Sequence, residues 1–143
     1  MPGRVIDRPS RPLIVLAEDS GELRQLLASG LERVGFDVIQ AENGAELVEI
    51  VQGFAREDDV RGELSLIVTD VRMPGVDGIA AIQALRKFGV TAPVIFMSAF
   101  GDTRTRQEAI KLNSRWIDKP IGLNELRAVV ANVLLTPHRE VVS

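Results

Sequence analysis

Residues 64–78 read LSLIVTDVRMPGVDG, and this stretch decides the fold. Its first half is a mainly apolar run that stops on Asp70. A short run of that kind, bounded by turn signals, is the pattern of a strand buried on both faces, as in a parallel sheet. The second half carries Pro74, Gly75 and Gly78, which forbid regular structure and mark a loop. A buried strand thus delivers a carboxylate to its carboxyl end, where open α/β sheets bind their ligands.

The same device recurs on either side. PLIVLAED, residues 12–19, closes on Glu18 and Asp19; PVIFMS, residues 93–98, closes on Ser98; RWIDKP, residues 115–120, brings Lys119. FDVIQA, residues 36–41, completes five strand-like runs. Between them the spacing turns helical. Ser20 is a candidate N-cap for a helix with Leu23, Leu26, Leu27, Leu31 and Val34, ended by Gly35. Asn43 and Glu46 resemble a capping box for a second helix bearing Leu47, Val48, Ile50, Val51 and Phe54. Residues 79–88, about 102–112, and 123–135 supply three more. Five β/α units predict an α/β fold, a five-stranded doubly wound parallel sheet with helices on both faces. Residues 1–11, with Arg4, Arg8 and Arg11, read as a flexible N-terminal arm, 12–135 as one domain, and 136–143 as a C-terminal tail.

Composition narrows the function. The chain has 143 residues, enough to bury a real core as one domain. A net charge of −3 offers no general attraction to nucleic acid or anionic membranes. Having no cysteine excludes disulfides, thiolate metal sites and thiol catalysis. No apolar run reaches a membrane span, so the expectation is a soluble, cytoplasmic protein.

The strand ends carry the chemistry. Glu18-Asp19 stands where a nucleotide-binding α/β protein would place a glycine-rich phosphate loop, and its carboxylates would repel phosphate unless a metal intervened. Together with Asp70 they make three carboxylates that cannot all stay ionised without a cation. Hard oxygen ligands suit Mg2+, with Mn2+ as its substitute. Asp70 beside such an ion can attack phosphorus and form an acyl phosphate. Lys119 supplies positive charge and Ser98 a hydroxyl for the same oxygens. Alone, Asp19 reads as a helix cap, Asp70 as a turn aspartate, Ser98 as structural and Lys119 as solvated. Matched groups at four strand ends outweigh those readings. Met73 and Met97 read as core filling, and His138 as a solvated tail residue.

On these residues the chain resembles a response-regulator receiver domain, the phosphoacceptor module of two-component signalling, over roughly residues 12–135. The motifs are Glu18-Asp19, Asp70 with its DVRMPGVDG loop, Ser98 followed by small Ala99, and Lys119-Pro120. The resemblance implies the flavodoxin-like (βα)5 receiver fold and a cis peptide at Pro120. It implies Mg2+ held by Asp19, Asp70 and the backbone carbonyl of Arg72, with Glu18 acting mainly through water. A histidine kinase or histidine phosphotransfer protein would donate the phosphoryl group to Asp70. Ser98 would then move toward it and couple to Trp116, switching a surface of the fourth helix, fifth strand and last helix through which two copies could also pair. Such a domain catalyses only its own phosphorylation and dephosphorylation, so it reads as a regulator and not an enzyme. The expectation includes no attached output domain, no direct nucleic-acid contact and no membrane. Arg72 and Phe100, two positions beyond Asp70 and Ser98, are expected to flank the hydrolytic water and tune phosphoryl lifetime.

The chain also departs from the family pattern. The connection over residues 52–65 is longer than usual, Asn113-Ser114 replaces the usual Gly-Ala before the fifth strand, and Gly122 is a weak N-cap. Three rivals remain. A haloacid-dehalogenase-like Mg2+ phosphatase lacks its second acid, because Arg72 stands there. A flavodoxin-like flavin binder is opposed by the acidic first loop. A pseudo-receiver that never takes phosphate is opposed by the full set of site groups.

Overall fold

The structure is a computed structural model that describes residues 11–54, 63–99 and 101–135. Strands and helices alternate: β1 (Leu13–Ala17), α1 (Gly21–Glu32), β2 (Asp37–Ala41), α2 (Gly44–Phe54), β3 (Leu64–Asp70), α3 (Gly78–Lys87), β4 (Val94–Ser98), α4 (Thr103–Ile110), β5 (Ser114–Asp118) and α5 (Leu123–Leu135). The strands form one sheet, ordered β2-β1-β3-β4-β5, with every pairing parallel. The order reverses at β1, so the crevice between the ends of β1 and β3 is the switch point where such sheets bind ligands.

Strand alternation splits the core in two. Val15, Ala17, Ile67, Val94 and Phe96 face α2, α3 and α4, which contribute Leu47, Val51, Ile79, Ile82, Leu85 and Ala109. Their sequence neighbours Ile14, Leu16, Leu66, Val68, Ile95 and Met97 face α1 and α5, with Leu27, Leu31, Leu126 and Val130. Burial on both sides is why β1, β3 and β4 are mainly apolar, with polar residues chiefly at their ends. Met73 and Met97 are both buried.

Helix ends follow local chemistry. The Ser20 hydroxyl accepts from the Leu23 amide, capping α1. At its other end Gly35, with φ of 109°, donates to the Glu32 carbonyl, while Phe36 donates to Leu31. That left-handed turn is why a glycine closes the helix. Asn43 caps α2 by accepting from Glu46 N–H at 2.8 Å. The Glu46 side chain reaches one residue beyond a standard capping box and accepts from Glu42 N–H at 2.6 Å. After α4, Asn113 takes a φ of 61°, and the Ser114 hydroxyl donates to the Ala109 carbonyl at 2.7 Å. This pair thus builds the turn without glycine, since asparagine tolerates the left-handed region. Arg11, the last residue of the expected arm, donates to the Glu32 and Phe36 carbonyls and lies 3.2 Å from Asp37 Oδ1. The rest of the arm, residues 55–62 of the long connection, Phe100 and the tail with His138 lie outside the described residues.

Candidate functional site

Register brings the strand ends level. Ala17 pairs with Thr69, Asp70 with Met97, and Ser98 with Asp118. Glu18 therefore emerges beside Asp70, and Lys119 one residue beyond the β4–β5 ladder. The backbone continues the pairing past the strands: Glu18 N–H donates to Ala41 O, Val71 N–H to Met97 O, and Lys119 N–H to Ser98 O.

The side chains converge. One carboxylate oxygen each from Glu18, Asp19 and Asp70 lies within 4.8 Å of the others. The Lys119 ammonium donates to Glu18 Oε1 and to Asp70 Oδ2, each at 2.9 Å. Glu18 uses its second oxygen to accept from Ser20 N–H at 3.0 Å. Glu18, Asp70 and Ser98 are buried, whereas Asp19 is exposed. Asp70 is thus enclosed at its strand end and not a freely exposed carboxylate. Burial pushes the Glu18 carboxyl above its ordinary range, and that outweighs the lowering by Ser20 N–H and Lys119. Burial alone would lower Lys119, but hydrogen bonds and charge from Asp70 and Glu18 prevail and raise it. A positive lysine between the carboxylates follows.

The donor set fits a hard divalent cation. Three carboxylates against one ammonium leave a formal surplus of two negative charges. All the side-chain donors are oxygen, and exposed Asp19 leaves one side open to solvent and substrate, as Mg2+ sites require. A groove of about 640 Å3 lined by Arg72, Met73, Pro74, Asp77, Gln83 and Thr105 lies beside this cluster, between α3 and α4, and includes none of the three acids. The chemistry is carried by the cluster and not by that groove.

Structure also locates the remaining expected residues. Arg72 is exposed and close enough to Asp102 to help lower its carboxyl, after the dominant hydrogen bonds from Thr105. The Lys119–Pro120 peptide is cis. Trp116 is half-buried, its ring centroid 6.4 Å from that of Phe96. Its indole N–H donates to Asp118 Oδ1 at 2.9 Å. Arg106 from α4 bonds the same oxygen at 2.9 Å and stands 5.1 Å over the ring. A Cβ on Gly101 would overlap that ring, so the indole fills the space beside the β4–α4 loop.

Sequence reasoning missed the groups that hold the acidic turn. Arg24 Nη1 donates to the Glu18 carbonyl at 2.9 Å, and its Nε donates to Gln40 Oε1 at 3.1 Å. The available signal was position: Arg24 lies one turn after the Ser20 cap, and helical side chains lean toward the N-terminus. The Ser20 amide was missed too, because only its hydroxyl was read.

Comparisons with known proteins agree with this architecture. The profile of the response regulator receiver domain family matches residues 14–131. A probable transcriptional regulator, ycf27 of Porphyridium aerugineum, is 34% identical over 122 residues, covering 85% of this chain and 47% of that protein. The Francisella response regulator 1452 receiver domain superposes with a TM-score of 0.74 at 28% identity, covering 87% of this chain and 97% of that one. The response regulator TrrA of Thermotoga maritima, solved in complex with Mg(2+)-BeF, gives 0.72 at 24% identity, covering 86% and 99%. The chain spans half or less of the length of the first curated relatives it matches.

Proposed function

This chain belongs to the response regulator receiver domain family, a regulatory module of two-component signalling, and we propose that Asp70 is its phosphoacceptor. The observation that carries the reading is convergence: Glu18, Asp19 and Asp70 lie within reach of one ion, with Lys119 bridging two of them. Asp19, Asp70 and the Arg72 carbonyl hold Mg2+, which when bound neutralises phosphoryl oxygens as a Lewis acid. The engagement of both Glu18 oxygens supports its acting through water.

A phosphohistidine of a histidine kinase or phosphotransfer protein is the donor. An Asp70 carboxylate oxygen attacks phosphorus in line. The new O–P bond forms as the P–N bond breaks, and the bonding pair leaves with the imidazole nitrogen. Lys119 stays paired with the Asp70 carboxyl and shields the charge that gathers on the phosphoryl oxygens. Ser98 then donates its hydroxyl to the new group, and Trp116 repacks between β5 and α4, altering the α4–β5–α5 surface that meets a partner or a second copy. Arg72 flanks the water that later hydrolyses the acyl phosphate. Among the described residues no helix is long and apolar enough to cross a membrane.

Acetyl phosphate with Mg2+ tests the reading by intact mass. Uptake of one phosphoryl group by the wild type and none by Asp70→Asn is expected. Equal uptake by both, or none by either, overturns it.

A further inference from the structure

The two peptides that flank Glu18 are each held. The preceding one, Ala17–Glu18, is fixed by Glu18 N–H on the Ala41 carbonyl at 3.1 Å. The following one, Glu18–Asp19, is fixed by Arg24 Nη1 on the Glu18 carbonyl at 2.9 Å, a part-buried bond. Arg24 is itself oriented from β2, because Gln40 Oε1 accepts from its Nε at 3.1 Å. The backbone amide of Arg24 donates to the Ser20 carbonyl at 2.8 Å, so the side chain projects from a fixed first turn of α1. Glu18 is further immobilised by Lys119 and Ser20, whereas Asp19 is exposed and makes none of these bonds. The direction of the Asp19 carboxylate is thus inherited from the peptide that Arg24 holds.

We infer that Arg24, oriented by Gln40, is a positioning residue for the cation site: it sets the plane of the Glu18–Asp19 peptide and thereby aims Asp19 at the ion. The inference rests on the receiver reading and adds to it a residue from outside the acidic cluster. Charge and geometry make opposite demands here. As a nearby cation, Arg24 repels a divalent ion, so losing its charge would tighten binding. As the clamp on the carbonyl, its loss lets the turn rotate and weakens binding. Supporting partners of metal ligands typically contribute about 10- to 100-fold to affinity. The sign of the change therefore separates positioning from bulk electrostatics.

The experiment titrates Mn2+ into the full chain at fixed ionic strength and follows free ion by electron paramagnetic resonance, with no phosphodonor present. Circular dichroism melts confirm folding of each variant. Wild type is expected to bind one ion and Asp19→Asn to lose it. Arg24→Ala should bind about tenfold more weakly, at the low end expected of such partners. Arg24→Lys, which keeps the charge and one donor, should recover part of that loss. Gln40→Leu, which changes no charge, should weaken binding less. The double variant should be no worse than Arg24→Ala, because both act through one bond. Unchanged or tighter binding in Arg24→Ala overturns the inference while leaving the receiver reading intact. If Arg24→Ala does not fold, Gln40→Leu decides, and an unaltered dissociation constant there overturns it. Failure of wild type itself to bind Mn2+ removes the proposed cation-dependent phosphoacceptor role, and this inference with it.

Discussion

Lys119 stands between two buried carboxylates, with Glu18 and Asp70 each 2.9 Å from its ammonium. Removing one partner of such a group leaves uncompensated charge, which costs more than the intact arrangement contributes. Lys119→Met should therefore lose about 3 kcal/mol of stability in chelator, measured by urea denaturation. Added Mg2+ should return part of it, because an ion that binds only the folded state stabilises by mass action. An unchanged urea midpoint would show that the lysine is not compensating these acids. Asp118 supplies a second test. The Trp116 indole N–H, and after it Arg106, hold its carboxyl below the ordinary aspartate range. Its folded pKa is depressed, so this contribution is present above the unfolded value and lost as pH falls through the folded one. Trp116 is the only tryptophan, and its fluorescence reads the bond directly. The signal should stay flat down through the usual carboxylate range and change only below it, while circular dichroism still reports a folded chain. In Asp118→Asn that low-pH step should vanish. A step at the ordinary aspartate value would mean that the indole bond does not form.

Elements were legible where burial imposed a simple pattern. A strand covered on both faces must be apolar until it leaves the sheet, so Glu18, Asp70 and Ser98 could be placed at strand ends before any coordinates. Helix α5 spans the expected residues for a related reason, its apolar side repeating with the helical period. Pattern failed where chemistry ran between elements. Arg24 and Gln40 lie 16 residues apart, and Arg86 reaches the Leu112 carbonyl across 26, and no periodicity announces such bonds. Leu26 fits the helical spacing of α1 yet is 58% exposed, since the apolar stripe is wider than the face the sheet covers, while Val34, expected on the helix, lies past its end at Glu32 in the turn and is 49% exposed. Gly78 was read only as a loop residue. It is the first residue of α3, and a Cβ there would overlap the Asp70 carbonyl oxygen. That close approach seats the helix against β3. Gly78→Ala should cost about 1–3 kcal/mol, the usual penalty of overpacking, by urea denaturation. A loss of only a few tenths would show that the β3–α3 junction yields easily.

At the scale of the molecule, the sheet order turns separated segments into one site. Placing β1 and β3 side by side, with β4 and β5 following, sets Glu18 and Asp19 against Asp70 and brings Lys119 over both. Alternation of strands and helices predicts a parallel sheet, but the strand order itself comes from packing and handed crossovers. The result is a frame with surplus negative charge at one edge, which is what a divalent cation would balance. The most direct measurement treats the full chain with acetyl phosphate, with and without Mg2+. Any acyl phosphate is then reduced with borohydride, and the peptides are mapped for the homoserine this leaves. Homoserine at position 70, formed only when Mg2+ is present, is the predicted result. Its absence, its formation without the ion, or its appearance at another carboxylate would contradict the account.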